Sequence, residues 1–200
     1  HSFPTRRSSD LMASYFLVKN PEYKQKLLEE IDVAFKDPSN VTLDSLNKMD
    51  FMTAFLKESL RMGTPAPIVF KRVALEDHML GGIRVTKGTQ FGVGFLANNF
   101  DERFHNDPDV FLPSRWQEKS KTVQSVAENA FVFTPFSAGG RNCIGQHLAI
   151  LESKLILGLF LREFEYDLRE DYVLRMVLRF MYEPEEDIIY TIKPRNKKEN

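Results

Sequence analysis

Phe136-Ser137-Ala138-Gly139-Gly140-Arg141-Asn142-Cys143-Ile144-Gly145 holds the only cysteine of this 200-residue chain, and the apolar spacing that follows predicts a helix straight after it. A lone cysteine is more commonly a small buried hydrophobe than a ligand. The neighbours of Cys143 favour the ligand. At a helix N-terminus the macrodipole and free N–H groups stabilise a thiolate and temper the charge of a ligand sulfur. Gly139 and Gly140 can take backbone conformations closed to other residues, and Gly145 lets the chain pass close to a flat macrocycle. Phe136 would shield an iron–sulfur bond from water, and Arg141 could pair with a haem propionate through its fork of donors. The run therefore reads as a haem-thiolate loop, in which the sulfur pushes electron density to iron and favours O–O cleavage. A glycine-rich turn can also cradle a phosphate. Neither G-x-G-x-x-G nor G-x-x-x-x-G-K-[ST] is present, which argues against that use.

Phe136, Gly139, Arg141, Cys143 and Gly145 resemble the cytochrome P450 signature F-x-x-G-x-R-x-C-x-G at every fixed position, and Pro135-Phe136-Ser137-Ala138-Gly139 is similar to the eukaryotic microsomal branch. Two further stretches resemble the family in the same order. Glu58-Ser59-Leu60-Arg61 matches E-x-x-R, and Phe111-Leu112-Pro113-Ser114-Arg115-Trp116 resembles F-x-P-E-R-F, with Ser114 where the family often has Glu. On an exposed helix Glu58 and Arg61 would be a surface pair worth a few tenths of a kcal/mol. Phe51, Met52, Phe55, Leu56 and Leu60 make the helix largely apolar, which favours burial. By resemblance, Arg115 completes a buried cluster with Glu58 and Arg61 that defines the fold and takes no part in chemistry.

Composition sets the outer limits. An apolar content of 42% with 28% charged residues supports one sizeable core. A net charge of −1 gives no basic field for nucleic acid. One cysteine allows no intramolecular disulfide, which fits a reducing compartment or a cytosol-facing surface. Leu155 to Leu161 is the densest apolar run, far short of the roughly 20 residues that span a bilayer. Residues 1–10 look like a translated sequencing-adapter read, so that the natural sequence is expected to begin in mid-domain near Leu11.

Along the chain, Leu11 to Lys19 reads as the tail of a helix, and Asn20 as the cap of a second one running to about Lys36, with Pro21 at its first position. A third helix, from about Leu43 to Met62, is predicted to split near Lys48. Thr64-Pro65-Ala66-Pro67 turns the chain extended. Ile68 to Val73 reads as a strand and Arg84-Val85-Thr86 as part of a hairpin. Short helical pieces and a long loop occupy Ala97 to Asn129, and such a stretch in a compact domain usually carries function or wraps a cofactor. The helix after Cys143 is expected to bury Ile144, Leu148, Leu151, Leu155, Leu159 and Phe160. Strands follow from Tyr172 and end in Ile188 to Ile192, with a break at Pro184. His78 and His105 stand in polar, turn-like segments and His147 off the apolar stripe. None has metal-ligand spacing, and no G-x-S-x-G elbow supports a hydrolase.

The resemblance covers Leu11 to about Arg195 and implies a mainly α fold with small β-sheets, the C-terminal portion of a cytochrome P450 domain over residues 11–200. It implies haem b, with Cys143 as axial ligand, Arg141 and Arg72 on the propionates, and Phe136, Gly139 and Gly145 around the sulfur. Read alone, Arg72 would be a solvent-facing strand residue. Ala66, Pro67, Ile68 and Val69 match a stretch that contacts substrate in relatives. The implied activity of the full-length protein is monooxygenation: one atom of dioxygen enters an apolar organic substrate, with electrons from an NADPH-dependent reductase. The implied location is the endoplasmic reticulum membrane, with the anchor outside this chain, and the family's acid–alcohol pair would precede Leu11. The alternatives are a haem-thiolate isomerase or dehydratase acting on peroxides, and an inactive truncated product.

Overall fold

A computed structural model describes residues 4–117 and 131–195. Its helices are α1 (Pro4–Lys19), α2 (Lys24–Ala34), α3 (Leu43–Asn47), α4 (Asp50–Met62), α5 (Phe95–Asn99) and α6 (Gln146–Glu163). Its strands are β1 (Ile68–Val73), β2 (His78–Leu80), β3 (Ile83–Val85), β4 (Gln90–Gly94), β5 (Phe164–Leu168), β6 (Met176–Leu178), β7 (Tyr182–Pro184) and β8 (Tyr190–Pro194). They form antiparallel pairs, β1–β4, β2–β3, β5–β8 and β6–β7. The mainly helical architecture with small sheets agrees with the sequence reading.

The predicted split near Lys48 is present, and its physics is visible. Thr42 and Ser45 cap α3 reciprocally: the Thr42 hydroxyl accepts the Ser45 N–H, and the Ser45 hydroxyl accepts the Thr42 N–H. α4 has no side-chain cap of its own. The Glu30 carboxylate of α2 instead accepts the N–H groups of Phe51 (2.7 Å) and Met52 (2.8 Å). A negative charge thus sits at the positive end of the central helix and ties it to α2.

α4 is buried almost all round, as a helix at the centre of a core must be. Ala13 and Leu17 of α1, Leu27 and Ile31 of α2, Met52 and Phe55 of α4, and Leu157 and Leu161 of α6 pack with Phe35 and Phe111 in one cluster. The β5–β8 ladder, with Phe164 opposite Pro194 and Leu168 opposite Tyr190, carries the chain back to α1. There the Tyr166 hydroxyl donates to the Ser14 carbonyl at 3.0 Å.

Three sequence expectations are corrected. Asn20 does not cap the second helix: its side-chain amide donates back to the Phe16 carbonyl at 2.8 Å, closing the end of α1. Pro21 opens a 3₁₀ turn, Pro21–Tyr23, and α2 starts after it. α6 buries Ser153, Lys154, Leu157, Gly158 and Leu161, while Leu151 and Leu155 are only partly buried, and Ile144, Leu148 and Leu159 are exposed. Its apolar stripe divides between the core and an open cavity, and the core side is completed by a glycine and a lysine that no hydrophobic count registers. Finally, His105 is fully buried, not part of a solvated turn. Strand β5 was not foreseen, and much of the predicted long loop, 118–129, lies outside the described residues.

Candidate haem site and the buried cluster beneath it

The cysteine loop is closed by its own backbone. Ser137 and Gly139 both have positive φ (64° and 78°), which a glycine adopts without strain. Ser137 N–H donates to the Thr134 carbonyl, a 3₁₀ turn spans Gly139–Arg141, and Cys143 N–H donates to the Phe136 carbonyl at 2.9 Å. Cys143 is exposed and lies three residues before Gln146, where α6 begins.

Cys143 opens onto a cavity of about 700 Å³. Phe136, Arg141, Gly145, Leu148 and Ala149 line it from the loop and α6; Arg72, Ala66 and Ile68 line it from β1 and the segment before it. Gly139 is not in the wall and serves the turn. Pro67 is buried, and its carbonyl accepts the N–H groups of Phe95 and Leu96, so it holds α5 rather than facing the cavity. Val69 stands opposite Val93 in the β1–β4 ladder.

The residues present fit a haem. A Cβ added to Gly145 would meet nothing within 4 Å except the Cys143 sulfur, at 3.8 Å, so the glycine leaves room beside the thiol. The walls are mostly apolar, suiting a flat macrocycle, and two exposed arginines, Arg72 and Arg141, suit its anionic edge. Among the described residues no group of three or more His, Cys, Asp and Glu could hold a metal ion unaided.

On another face of α4, Glu58, Arg61 and Arg115 come together with no solvent exposure of their side chains. Glu58 Oε1 accepts Arg61 Nη2 (2.8 Å), Leu112 N–H (2.9 Å) and Arg115 Nε (3.3 Å); Oε2 accepts Arg61 Nε (3.0 Å) and Trp116 Nε1 (2.8 Å). The remaining guanidinium protons go to carbonyls. Arg61 Nη1 donates to Asn99 and Pro108, and Arg115 donates to Asn106, Asp107 and Val110. A buried ion pair is tolerable only with its donors satisfied in this way. Burial above all, with the Arg61 and Arg115 charges adding to it, holds the imidazole of nearby His105 down to a pKa of about 4.

Sequence reasoning placed the three charged members and missed the rest. Trp116, Asn99 and the Leu112 N–H belong to the same network. Leu56, Leu60, Phe95 and Met181 line the cavity. The first two were signalled by their spacing of four on a largely apolar helix.

A haem-sized cavity at a solvent-facing cysteine, built against a buried Glu–Arg–Arg cluster, is the arrangement expected of a haem-thiolate protein. The chain belongs to the cytochrome P450 family, whose model matches residues 9–189. It is 38% identical over 151 residues to cytochrome P450 4V2 of Mus musculus, covering 75% of this chain and 28% of that protein. It is 30% identical over 196 residues to cytochrome P450 3A31 of Mesocricetus auratus, covering 97% of this chain and 38% of that protein. It is also 30% identical to cytochrome P450 3A19 of Capra hircus aegagrus, across 96% of this chain and 87% of that sequence. The chain thus spans about a third of the length of the mouse and hamster relatives.

Proposed function

We propose that this chain supplies the proximal haem site of a monooxygenase: Cys143 ligates the iron of haem b, Arg141 and Arg72 bind its propionates, and Phe136 excludes water from the sulfur. The observation that carries this reading is the convergence of one exposed thiol, an adjoining glycine and two guanidinium groups on one largely apolar cavity. When bound, haem would supply the activation of dioxygen that puts one oxygen atom into an apolar substrate, with electrons from an NADPH-dependent reductase.

The chain's own residues have separable tasks. The loop of Phe136 to Cys143 presents the sulfur, and its backbone bonds keep the thiol aimed at the cavity. Ala66 and Ile68 form part of the wall where an apolar substrate would lie, while the buried cluster keeps α4 rigid behind Leu56 and Leu60. Glu58, Arg61 and Arg115 hold the fold and do not touch the reacting atoms. Among the described residues no helix is long and apolar enough to cross a membrane. Placement on the endoplasmic reticulum rests on the resemblance to microsomal relatives.

The test is spectroscopic. In the reduced, CO-bound full-length protein, thiolate ligation should red-shift the Soret band relative to a histidine-ligated haem protein, and Cys143→Ser should abolish the shift. An unchanged spectrum in the variant would remove Cys143 from the iron.

A further inference from the structure

The cysteine loop closes on itself, and among the contacts that join its approach, residues 131–134, to the body of the protein one is aromatic. Phe133 lies three residues before Phe136, the residue whose carbonyl accepts the Cys143 N–H. Its ring stands 4.3 Å, centroid to centroid, from the indole of Trp116, the only tryptophan of the chain. Trp116 ends the 3₁₀ turn Pro113–Trp116, next to Arg115. Its Nε1–H donates to Glu58 Oε2 at 2.8 Å.

That hydrogen bond serves the indole more than the carboxylate. Glu58 already has two Arg61 donors, the Leu112 N–H and Arg115 Nε. A carboxylate offers about four lone-pair sites, so the tryptophan is a fifth donor to an acceptor that is already served. An indole N–H can only donate, and Glu58 gives it a charged acceptor fixed inside the core. The ring is thereby locked in one orientation, and Phe133 packs on it. Glu58, Trp116 and Phe133 thus form a continuous path from the buried cluster to the entrance of the cysteine loop.

We propose that Trp116 is a positioning residue for the Cys143 ligand: anchored on Glu58, it holds Phe133 and through it fixes where the Phe136–Cys143 loop presents its sulfur. This rests on the reading of Cys143 as the haem ligand, and it adds a specific connection between the cluster and the loop. Phe133 is only partly buried, and breaking its contact disturbs no hydrogen bond of Glu58.

The experiment compares Phe133→Leu, Trp116→Leu, Trp116→Phe and the Phe133→Leu/Trp116→Leu double variant in the full-length protein. Amide hydrogen exchange is read without haem, and the thiolate signature of the reduced CO complex is read with it. Exchange in the peptide covering residues 132–143, which includes the bonded N–H groups of Ser137 and Cys143, is expected to rise about tenfold in the two Leu single variants, while the α2 peptide keeps wild-type exchange. Trp116→Phe keeps a ring against Phe133 and is expected to lie between wild type and Trp116→Leu. The double variant should be no worse than either single, because both break one path. The fraction of CO complex carrying the thiolate signature should fall in the same order. Wild-type loop exchange in Phe133→Leu overturns the proposal, as does an equal acceleration of α2, which would show general destabilisation only. Additive effects in the double variant overturn it as well. A wild-type protein lacking the thiolate signature would sink the haem reading instead, and the exchange data would still decide whether Trp116 holds the loop.

Discussion

Gly158 of α6 lies so close to Phe35 that a Cβ on the glycine would stand 2.6 Å from two atoms of the phenylalanine ring. Phe35 is fully buried, so the ring has no solvent to retreat into. Alanine ordinarily gains about 1 kcal/mol over glycine inside a helix. Here overpacking, typically about 1–3 kcal/mol, opposes that gain. Gly158→Ala is expected to lower the midpoint of denaturant unfolding, and Phe35→Leu added to it should restore part of the loss. If Gly158→Ala raises the midpoint, α6 and α2 do not pack this closely.

The Glu58 cluster should be intolerant of partial removal. Glu58→Ala leaves the Arg61 and Arg115 charges together in the core without their carboxylate, and breaking a buried pair typically costs about 3–5 kcal/mol. That is a large share of a domain's net stability. Haem content per polypeptide and the unfolding midpoint of the full-length protein should both drop. Retention of wild-type values in both would place Glu58 outside the structural core.

Arg72 and Arg141, proposed above to bind the propionates, differ from the cluster in being exposed, so such contacts would be open to salt. A hydrogen bond to a charged group is worth about 1.5–3 kcal/mol before such screening. Arg141→Gln and Arg72→Gln should each speed haem transfer to an apo-globin acceptor by roughly tenfold at low ionic strength, equivalent to about 1.4 kcal/mol. The gap between variant and wild type should narrow as salt rises. Transfer rates equal to wild type at low salt would remove that arginine from the propionates.

The fold was legible where pattern and burial coincide. Phe51, Met52, Phe55, Leu56 and Leu60 make this helix largely apolar, so a buried α4 followed directly, and with it the expectation that Glu58 and Arg61 meet an interior partner. The helix break expected near Lys48 separates α3 from α4, and Thr42 and Ser45 cap the start of α3. α6 was misread for a physical reason. A hydrophobic stripe does not say what covers it: Leu148 is exposed at the cavity, whereas beside Leu157 and Leu161 the core contact is made by Gly158 and by Lys154, whose Nζ donates to the Leu46 carbonyl at 2.7 Å. Glu30 as a remote cap for α4, and Trp116 as a donor to Glu58, depend on pairings 21 and 58 residues apart. Local spacing carries no trace of them. His105 was concealed by its neighbours, since the polar run Asn106-Asp107-Pro108-Asp109 looks solvated, yet the carbonyls of Asn106, Asp107 and Pro108 turn inward to the two arginines.

His105 should make the protein acid-sensitive over a defined range. Its ring is fully buried, neither nitrogen has a hydrogen-bond partner among the described residues, and Arg61 and Arg115 oppose a further positive charge, while Glu58 and Asp101 favour it more weakly. The folded pKa of about 4 lies below the ordinary value of 6.5. Between these values the unfolded chain binds the proton and the folded one does not, so stability rises with pH across that window. It is at its full value above 6.5, declines as the pH falls toward 4, and gains no further slope from this group below that. The slope from one such group is at most about 1.4 kcal/mol per pH unit. His105→Leu removes both unpaired nitrogens and the titration, so it should flatten this part of the curve and hold its midpoint near pH 5 better than wild type does. Denaturant unfolding at half-unit pH steps between 4 and 7 checks this. Parallel curves for the two proteins would show that His105 is not a buried neutral imidazole.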